Sequence, residues 1–267
     1  MKIWELMAYS RKKIKGRRLE LLLVCLLPIG AMLLFRLAEA ALYSLLLYFG
    51  AVRPAGLFTG ENAEQLVIAA VFAVLRWTAA APLVCAAAAV LADVADERPK
   101  GVSMAGLLVD GTFLRRSIVS FAAGRLICFL LLIPAAVSGK FAFELIADGG
   151  ESGELFAAVN SVVLSVVFLM MWLAARLSLT AVPFLITAHP EKSAVGIVFM
   201  AFRFMRGRKR FPAMLAAVYA LPVLTVVGIP FVLPELSAGF AAGISIFLKE
   251  DEYAASKSMY TAFGRTA

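Results

Sequence analysis

The stretch from Leu155 to Ile186, LFAAVNSVVLSVVFLMMWLAARLSLTAVPFLI, runs for 32 residues with a single ionisable side chain, Arg176. The hydrocarbon layer of a membrane is about 30 Å thick and requires about 20 apolar residues of a helix that crosses it. At about 1.5 Å per residue this stretch would extend about 48 Å as one straight helix. We therefore expect it to tilt, or to leave the membrane at one end.

The rest of the chain has the same character. Of its 267 residues, 62% are hydrophobic and 16% are charged, and the mean hydropathy is +0.90. Soluble domains are about half apolar and about a quarter charged. Because backbone groups in lipid must be paired within the protein, we predict an all-α membrane bundle in one integral membrane domain, 1–267. About six transmembrane helices are predicted: Leu19–Phe35, Gln65–Leu91, Ser117–Val137, Leu155–Ile186, Ala213–Gly228 and Pro230–Leu248.

One apolar segment, Leu37–Phe49, is too short and too interrupted to be counted as a span by itself. We interpret it as a helix against the outer surface, and an extension of the first span stays open.

The basic residues are distributed unevenly along the chain, whose net charge is +8. Twenty Lys and Arg lie in the two terminal tails and in the connections Ala92–Arg116 and Thr187–Pro212, whereas only Arg53 and Lys140 lie on the other side. Membrane proteins keep Lys and Arg in cytoplasmic loops. The asymmetry predicts a multi-pass protein with both termini in the cytoplasm.

The most basic stretch, Phe204–Phe211 (FMRGRKRF), directly precedes the fifth predicted span. Upstream of it, apolar residues recur at helical spacing: Ile197, Met200, Ala201, Phe204 and Met205. This pattern predicts a cytoplasmic amphipathic helix in the membrane interface, capped by Ser193, with its apolar side in the acyl boundary. The N-terminal segment repeats the pattern with Ile3, Trp4, Leu6, Met7 and Ile14.

A location at the cytoplasmic membrane interface favours anionic headgroups, or a membrane or cytoplasmic protein, over nucleic acid as the partner of the basic residues. The candidate contacts are Arg17, Arg18, Arg203, Arg206, Arg208, Lys209 and Arg210.

Three glycines next to basic residues, Gly16, Gly111 and Gly207, are 95 and 96 residues apart. They suggest three units of a basic helix followed by two spans, 1–95, 96–188 and 189–252, with a cytoplasmic tail at 253–267. The simpler alternative is that any membrane protein places Lys and Arg before spans that leave the cytoplasm.

Ionisable residues within the predicted spans are candidates for function, because each is costly in lipid. The candidates are Arg76, Arg125 and Arg176. For Arg76 we weigh an anion or headgroup contact in a cavity against a structural tie to carbonyls or to Glu235, and we favour the tie. Arg125 and Arg176 could reach the cytoplasmic interface with their long side chains. Arg36 and Glu39, three residues apart, can pair on one helix face.

No catalytic chemistry is indicated. His189 is the only histidine and the cysteines Cys25, Cys85 and Cys128 stand alone, so we predict no metal, no cofactor and no enzymatic activity. We interpret the acidic residues Asp93, Asp96 and Glu97 as a solvated helix exit.

Three segments, VPFLITAHPEKSA, FRFMRGRKRF and GIPFVLPELSAGFAAG, resemble the C-terminal half of a family of uncharacterised bacterial integral membrane proteins. In that family, known only as a domain of unknown function, an Asn-Pro turn, a cytoplasmic helix, a Lys-Gly-Asn-x-Trp element and a Val-Leu-Pro span follow in order. Here His189–Pro190, Arg206–Gly207 and Val232–Pro234 take those places. Arg208 replaces the Asn and the aromatic residue is displaced to Phe211, as in a divergent member. The resemblance implies about six spans in a bacterial cytoplasmic membrane and no known activity.

The leading hypothesis is a non-enzymatic membrane protein whose basic helices hold anionic lipid or a protein partner. The alternative is a transport component, either a small-solute permease or a permease-associated subunit, because prolines within spans can supply broken helices. A water-accessible cavity lined by the arginines within the spans would favour transport.

Overall fold

The computed structural model describes residues 3–50, 63–96, 103–147, 152–224 and 229–263. This part of the chain contains ten helices and no strand, which confirms the all-α prediction. The helices are α1 (Ile3–Ile14), α2 (Arg18–Tyr48), α3 (Ala63–Asp96), α4 (Met104–Val109), α5 (Gly111–Ala147), α6 (Ser152–Leu179), α7 (Val182–Ala188), α8 (Ala194–Phe204), α9 (Arg210–Leu224) and α10 (Ile229–Phe263).

Within the described residues, five helical segments are long and apolar enough to cross a membrane, so the chain is a multi-pass membrane protein. They are Arg18–Tyr48, Val67–Asp96, Gly111–Ala147, Leu155–Ala188 and Val232–Tyr253. The predicted fifth span, Ala213–Gly228, corresponds to α9, which has 15 residues and extends only about 22 Å.

Helix α2 is continuous from Arg18 to Tyr48, so the interpretation of Leu37–Phe49 as a separate surface helix is wrong. The polar residues Arg36 and Glu39 do not interrupt it, because they pair with each other at 3.1 Å. Glu39 also pairs with Arg76 of α3 at 3.3 Å. The interrupted hydropathy of this segment therefore reflects ion pairing and does not mark a helix end.

The long apolar stretch Leu155–Ile186 does not form one straight helix. It breaks after Leu179, and α7 starts at Val182 with Pro183 in its first turn. Proline is favoured at this position because the amide it lacks has no partner in the first helical turn. At the C-terminal end of the chain, α10 continues to Phe263, beyond the boundary at 252 that was predicted for the tail.

The chain forms two compact units, one of residues 1–118 and 214–267 and one of residues 119–213. In the first unit, α2 and α3 pack as an antiparallel hairpin, in which Glu39 of α2 pairs with Arg76 of α3. Arg18, the first residue of α2, and Asp96, the last residue of α3, are at the same end of this hairpin.

Helix α10 packs against both helices of this hairpin. Its Glu235 bonds to Arg18 at 2.9 Å and its Lys249 bonds to Asp96 at 2.6 Å. Glu235 and Lys249 are about 21 Å apart along a helix, yet their partners lie at the same end of the hairpin. In keeping with this position, 56% of the apolar window of α10 is buried in protein, against 6–22% for the other candidate spans.

In the second unit, α5 and α6 are antiparallel. Ser165 of α6 donates a hydrogen bond to the carbonyl of Ala135 at 2.9 Å, and the neighbouring Gly139 packs against the same serine. About four turns earlier on α5, Gly124 packs against Leu179 at the end of α6. Helix α8 packs against α6 and α7.

Candidate functional site

The basic helix α8 has one apolar face covered by protein. Ile197, Val198, Ala201, Phe204 and Met205 are each at most 6% exposed, and α8 contacts α6 and α7. The prediction that this face lies in the acyl boundary is therefore wrong. Apolar residues at helical spacing indicate burial, but they do not distinguish burial in lipid from burial in protein.

The opposite face of α8 is exposed and carries both apolar and basic side chains. Val195 is 47% exposed, Phe199 is 66% exposed, and Arg203 is exposed as well. Spacings of four and eight residues place these three side chains on one side of a helix. Arg206, just after the helix, and Arg210 are also exposed.

The remaining basic residues of this stretch, Arg208 and Lys209, are less exposed. Arg208 is half-buried, with its guanidinium carbon 5.2 Å from the centre of the Phe204 ring. Its Nη1 donates to the carbonyl of Phe204 at 3.4 Å. Lys209 is also half-buried. As predicted, Ser193 caps α8, since its hydroxyl accepts from the amide of Gly196 at 3.2 Å.

Helix α1 has the same arrangement in the other unit. Its apolar face, with Leu6, Met7, Ser10 and Ile14, is buried, and the helix contacts α10 and α3. Its outer face carries Trp4, which is 70% exposed, and the exposed side chains of Arg11, Lys12 and Lys15. Both helices thus present an aromatic ring beside cations. The sequence pattern had placed Trp4 on the apolar side and had not singled out Phe199.

Both helices also end in the same kind of turn. Gly16 has φ of 96° and Gly207 has φ of 81°, a conformation that suits glycine and strains other residues. The amide of Arg17 donates to Ile14 at 2.9 Å, and that of Arg208 donates to Met205 at 3.1 Å. Gly111 differs, because it is the first residue of α5 and has no positive φ. The three-unit repeat stays a prediction, with matching geometry at two of its three glycines.

Arg17 and Arg18, two of the predicted headgroup or partner contacts, form ion pairs within the protein. Arg17 binds Glu20 through two hydrogen bonds of 2.9 and 2.8 Å. Arg18 and Arg11 share Glu235, each at 2.9 Å, and this hydrogen bond raises the pKa of Arg11. Glu235 is nearly buried, with 12% of its side chain exposed. The signal that could have indicated this role is the single carboxylate inside the apolar stretch from Ile229 to Phe247.

Arg76 does not bond to Glu235, one of the ties considered above. Its partner is Glu39 at 3.3 Å, and the side chains of both residues are nearly buried, at 12% and 15% exposure. Glu39 lies 21 residues after Arg18, or about 31 Å along α2, which equals the thickness of the hydrocarbon layer. The pair thus lies about two thirds of the way along α2 from Arg18. A cavity of about 300 Å³ beside it is lined by Arg36, Glu39, Ala40, Tyr43, Ile68 and Ala69.

Arg125 and Arg176 come together in the second unit. Arg125 on α5 is half-buried, and its guanidinium experiences the positive charge of Arg176 on α6. The guanidinium carbon of Arg176 lies 5.8 Å from the centre of the Trp172 ring. These two arginines, predicted separately, form one cluster.

The acidic residues at the end of α3 are not a solvated exit. Asp93 is buried, and Asp96 accepts hydrogen bonds from Ser245 and Lys249 of α10. Glu97 lies outside the described residues. Nδ1 of His189 is 3.3 Å from Glu191, and within the described part of the chain no group of three His, Cys, Asp or Glu could hold a metal ion.

Compared with protein families, with curated proteins and with solved structures, the chain matches none of them.

Proposed function

We propose that this chain is a non-enzymatic integral protein of a bacterial cytoplasmic membrane that binds anionic lipid headgroups through the outer faces of α1 and α8. The observation that carries the proposal is the pairing of an exposed ring with cations on both helices. Trp4 lies with Lys12 and Lys15, and Phe199 lies with Arg203.

The burial of the opposite faces supports this function. Because protein already covers the apolar side of each helix, its orientation does not depend on lipid, and the cations are held outward before any ligand arrives. Tryptophan prefers the level of the headgroups, and phenylalanine is common on the membrane side of interfacial helices. Each cation near an anionic leaflet contributes about 1 kcal/mol, so three or four cations can select anionic lipid without a deep pocket.

The distribution of charge supports the cytoplasmic side as the location of these helices. The basic residues of the N-terminal segment and of the Thr187–Pro212 connection belong to the set of twenty Lys and Arg described above. Under the positive-inside rule both helices and both termini face the cytoplasm.

The test is the selectivity of the reconstituted protein for spin-labelled phosphatidylglycerol over phosphatidylcholine, measured by electron paramagnetic resonance. We expect the variant with Arg203, Arg206 and Arg210 changed to Ala to lose selectivity several-fold, since about 1 kcal/mol per cation corresponds to about fivefold. Lys140→Ala, which removes an exposed cation from α5, is the matched control. Equal selectivity of the triple variant and the parent would refute headgroup binding by α8.

A transport component is the second candidate function. The cavity of about 300 Å³ beside Glu39 favours it, because Arg36 and Glu39 line the cavity and Arg76 pairs with the same carboxylate, so two cations and one anion lie together there. Efflux of trapped carboxyfluorescein from proteoliposomes, lost in an Arg76→Gln variant, would support transport. Efflux equal to that of protein-free liposomes would exclude an open path for this anion.

A further inference from the structure

We propose that Arg125 of α5 and Arg176 of α6 form a binding site for the phosphate group of an anionic phospholipid. This inference deepens the proposed lipid binding and rests on it for the class of ligand. It concerns a second site, within the candidate spans, that does not involve α1 or the exposed face of α8.

The packing of α5 and α6 places the two arginines at the same level. Gly124 packs against Leu179, with 3.2 Å between the position of an added Cβ and the leucine side chain. Arg125 is the next residue after Gly124, and Arg176 lies three residues, slightly less than one helical turn, before Leu179. The antiparallel contact therefore aligns two cations on neighbouring helices.

Arg176 has apolar surroundings and is exposed. Its side chain lies on an exposed, apolar side of α6, where Met170 and Leu173 are also exposed at 63% and 45%. Within the described residues Arg176 makes no ion pair, and its contact is the ring of Trp172 at 5.8 Å. In lipid, an arginine in such a position requires an anion from its surroundings or reaches for the headgroups.

Arg125 and Arg176 carry like charges, which repel each other. Arg125 is half-buried, and Arg176 places a second positive charge near it. An anion between the two guanidinium groups replaces this repulsion with two attractions. The planar guanidinium fork fits two oxygens of a phosphate at once, which a single ammonium group cannot do.

The position along the helices favours a lipid as the source of that phosphate. Arg176 is in the last turn of α6, next to the break that precedes α7. Tryptophan is enriched at the level of the headgroups, and basic pockets between membrane helices bind anionic headgroups. Free inorganic phosphate has the same chemistry, and the experiment separates the two sources.

Trp172 supplies a reporter inside the site. The chain has three tryptophans, so the variant Trp4→Phe with Trp77→Phe leaves Trp172 alone. This full-length protein, delipidated in detergent, is titrated with short-chain phosphatidylglycerol, short-chain phosphatidylcholine and inorganic phosphate, and the emission of Trp172 is followed. We expect a saturable change with phosphatidylglycerol, and at least tenfold weaker responses to the other two ligands.

Substitutions in the same background assign the response to the two arginines. We expect Arg125→Gln and Arg176→Gln each to weaken the response to phosphatidylglycerol at least tenfold. Arg176→Lys, which keeps the positive charge, should weaken it less than Arg176→Gln. Arg115→Gln, an exposed arginine ten residues before Arg125 on α5, is the matched control and should not change it. Circular dichroism verifies that each variant keeps its helical content.

The outcomes are distinct from those that test α8. The variant with Arg203, Arg206 and Arg210 changed to Ala should keep the Trp172 response, even where it loses selectivity for bulk anionic lipid. Equal responses to phosphatidylglycerol and phosphatidylcholine, or an unchanged response in Arg125→Gln, would overturn the site. Inorganic phosphate binding as tightly as phosphatidylglycerol would overturn the assignment to a lipid.

Discussion

Oε1 of Glu235 lies 2.9 Å from Nη2 of Arg18, which joins the start of α2 to α10. The other carboxylate oxygen binds Nε of Arg11 in α1 at the same distance. One nearly buried carboxylate thus holds three helices, and the ring of Tyr219 from α9 is buried beside it. The basic helix α1 owes its orientation to this contact as well as to its apolar face.

We predict that Glu235→Gln destabilises the protein by about 1–3 kcal/mol. The amide keeps the shape of the side chain but loses two ion pairs. Their contribution to the free energy of unfolding lies between those of buried and exposed pairs, because both arginines are about half exposed. Thermal unfolding in detergent measures the change. Glu20→Gln is the control, because Glu20 pairs with Arg17 on the surface and should cost about 0–1 kcal/mol. Equal effects of the two substitutions would contradict the anchoring role of Glu235.

The contacts of α10 predict that the N-terminal helix and the end of α10 are on the same side of the membrane. Arg18 and Asp96 lie at one end of the α2–α3 hairpin, and α10 contacts the first through Glu235 and the second through Lys249. In a background without native cysteines, a membrane-impermeant maleimide should label Lys12→Cys and Asp251→Cys from the same side of oriented vesicles. Labelling from opposite sides would show that α10 crosses the whole membrane.

Local hydropathy predicted the helices well but not their ends. The continuation of α2 beyond Phe35 was missed because Arg36 and Glu39 look unfavourable in a sequence window. The second partner of Glu39, Arg76, is 37 residues away, and no local pattern connects the two residues. The same limit applies to Asp96, which looked solvated and is bonded to α10, more than 140 residues away.

The faces of α1 and α8 show a second limit of the sequence. Periodicity identified α8 and its cap correctly, because both depend on residues within a few positions of each other. It could not say which surface would cover Ile197 and Phe204, since protein and lipid both accept apolar side chains. The exposed pair of Phe199 and Arg203 was found only from the burial of the opposite face.

Two glycines provide a test of the shared turn after α1 and α8. We predict that Gly16→Ala and Gly207→Ala each cost about 1–2 kcal/mol, because a Cβ disfavours their positive φ although no neighbour lies within 4 Å. Gly111→Ala is the matched control, since Gly111 also has open space but no positive φ. Its effect should be small or stabilising, as alanine favours a helix. Chemical denaturation in mixed micelles compares the three variants, and equal losses at all three positions would contradict this explanation.

The start of α5 should depend on acidic pH. Asp110 accepts hydrogen bonds from the backbone amide of Thr112 at 2.9 Å and from its hydroxyl at 2.7 Å, and these bonds hold its pKa below the ordinary value of 3.8. Because the folded state binds the proton more weakly than the unfolded state, the stabilisation is present above pH 3.8. It is lost as the pH falls below 3.8, through the lower pKa of the folded protein.

We therefore expect the backbone amides of Thr112 and Leu114 to lose protection from hydrogen exchange below pH 3.8, once the intrinsic pH dependence of exchange is removed. Asp110→Asn is the control, because asparagine caps a helix about as well as aspartate and does not titrate. Hydrogen–deuterium exchange with mass spectrometry over the segment 108–118 measures both proteins. The parent should lose its protection in acid while the variant keeps its own, and a parallel loss in both would mean that a group other than Asp110 controls the start of this helix.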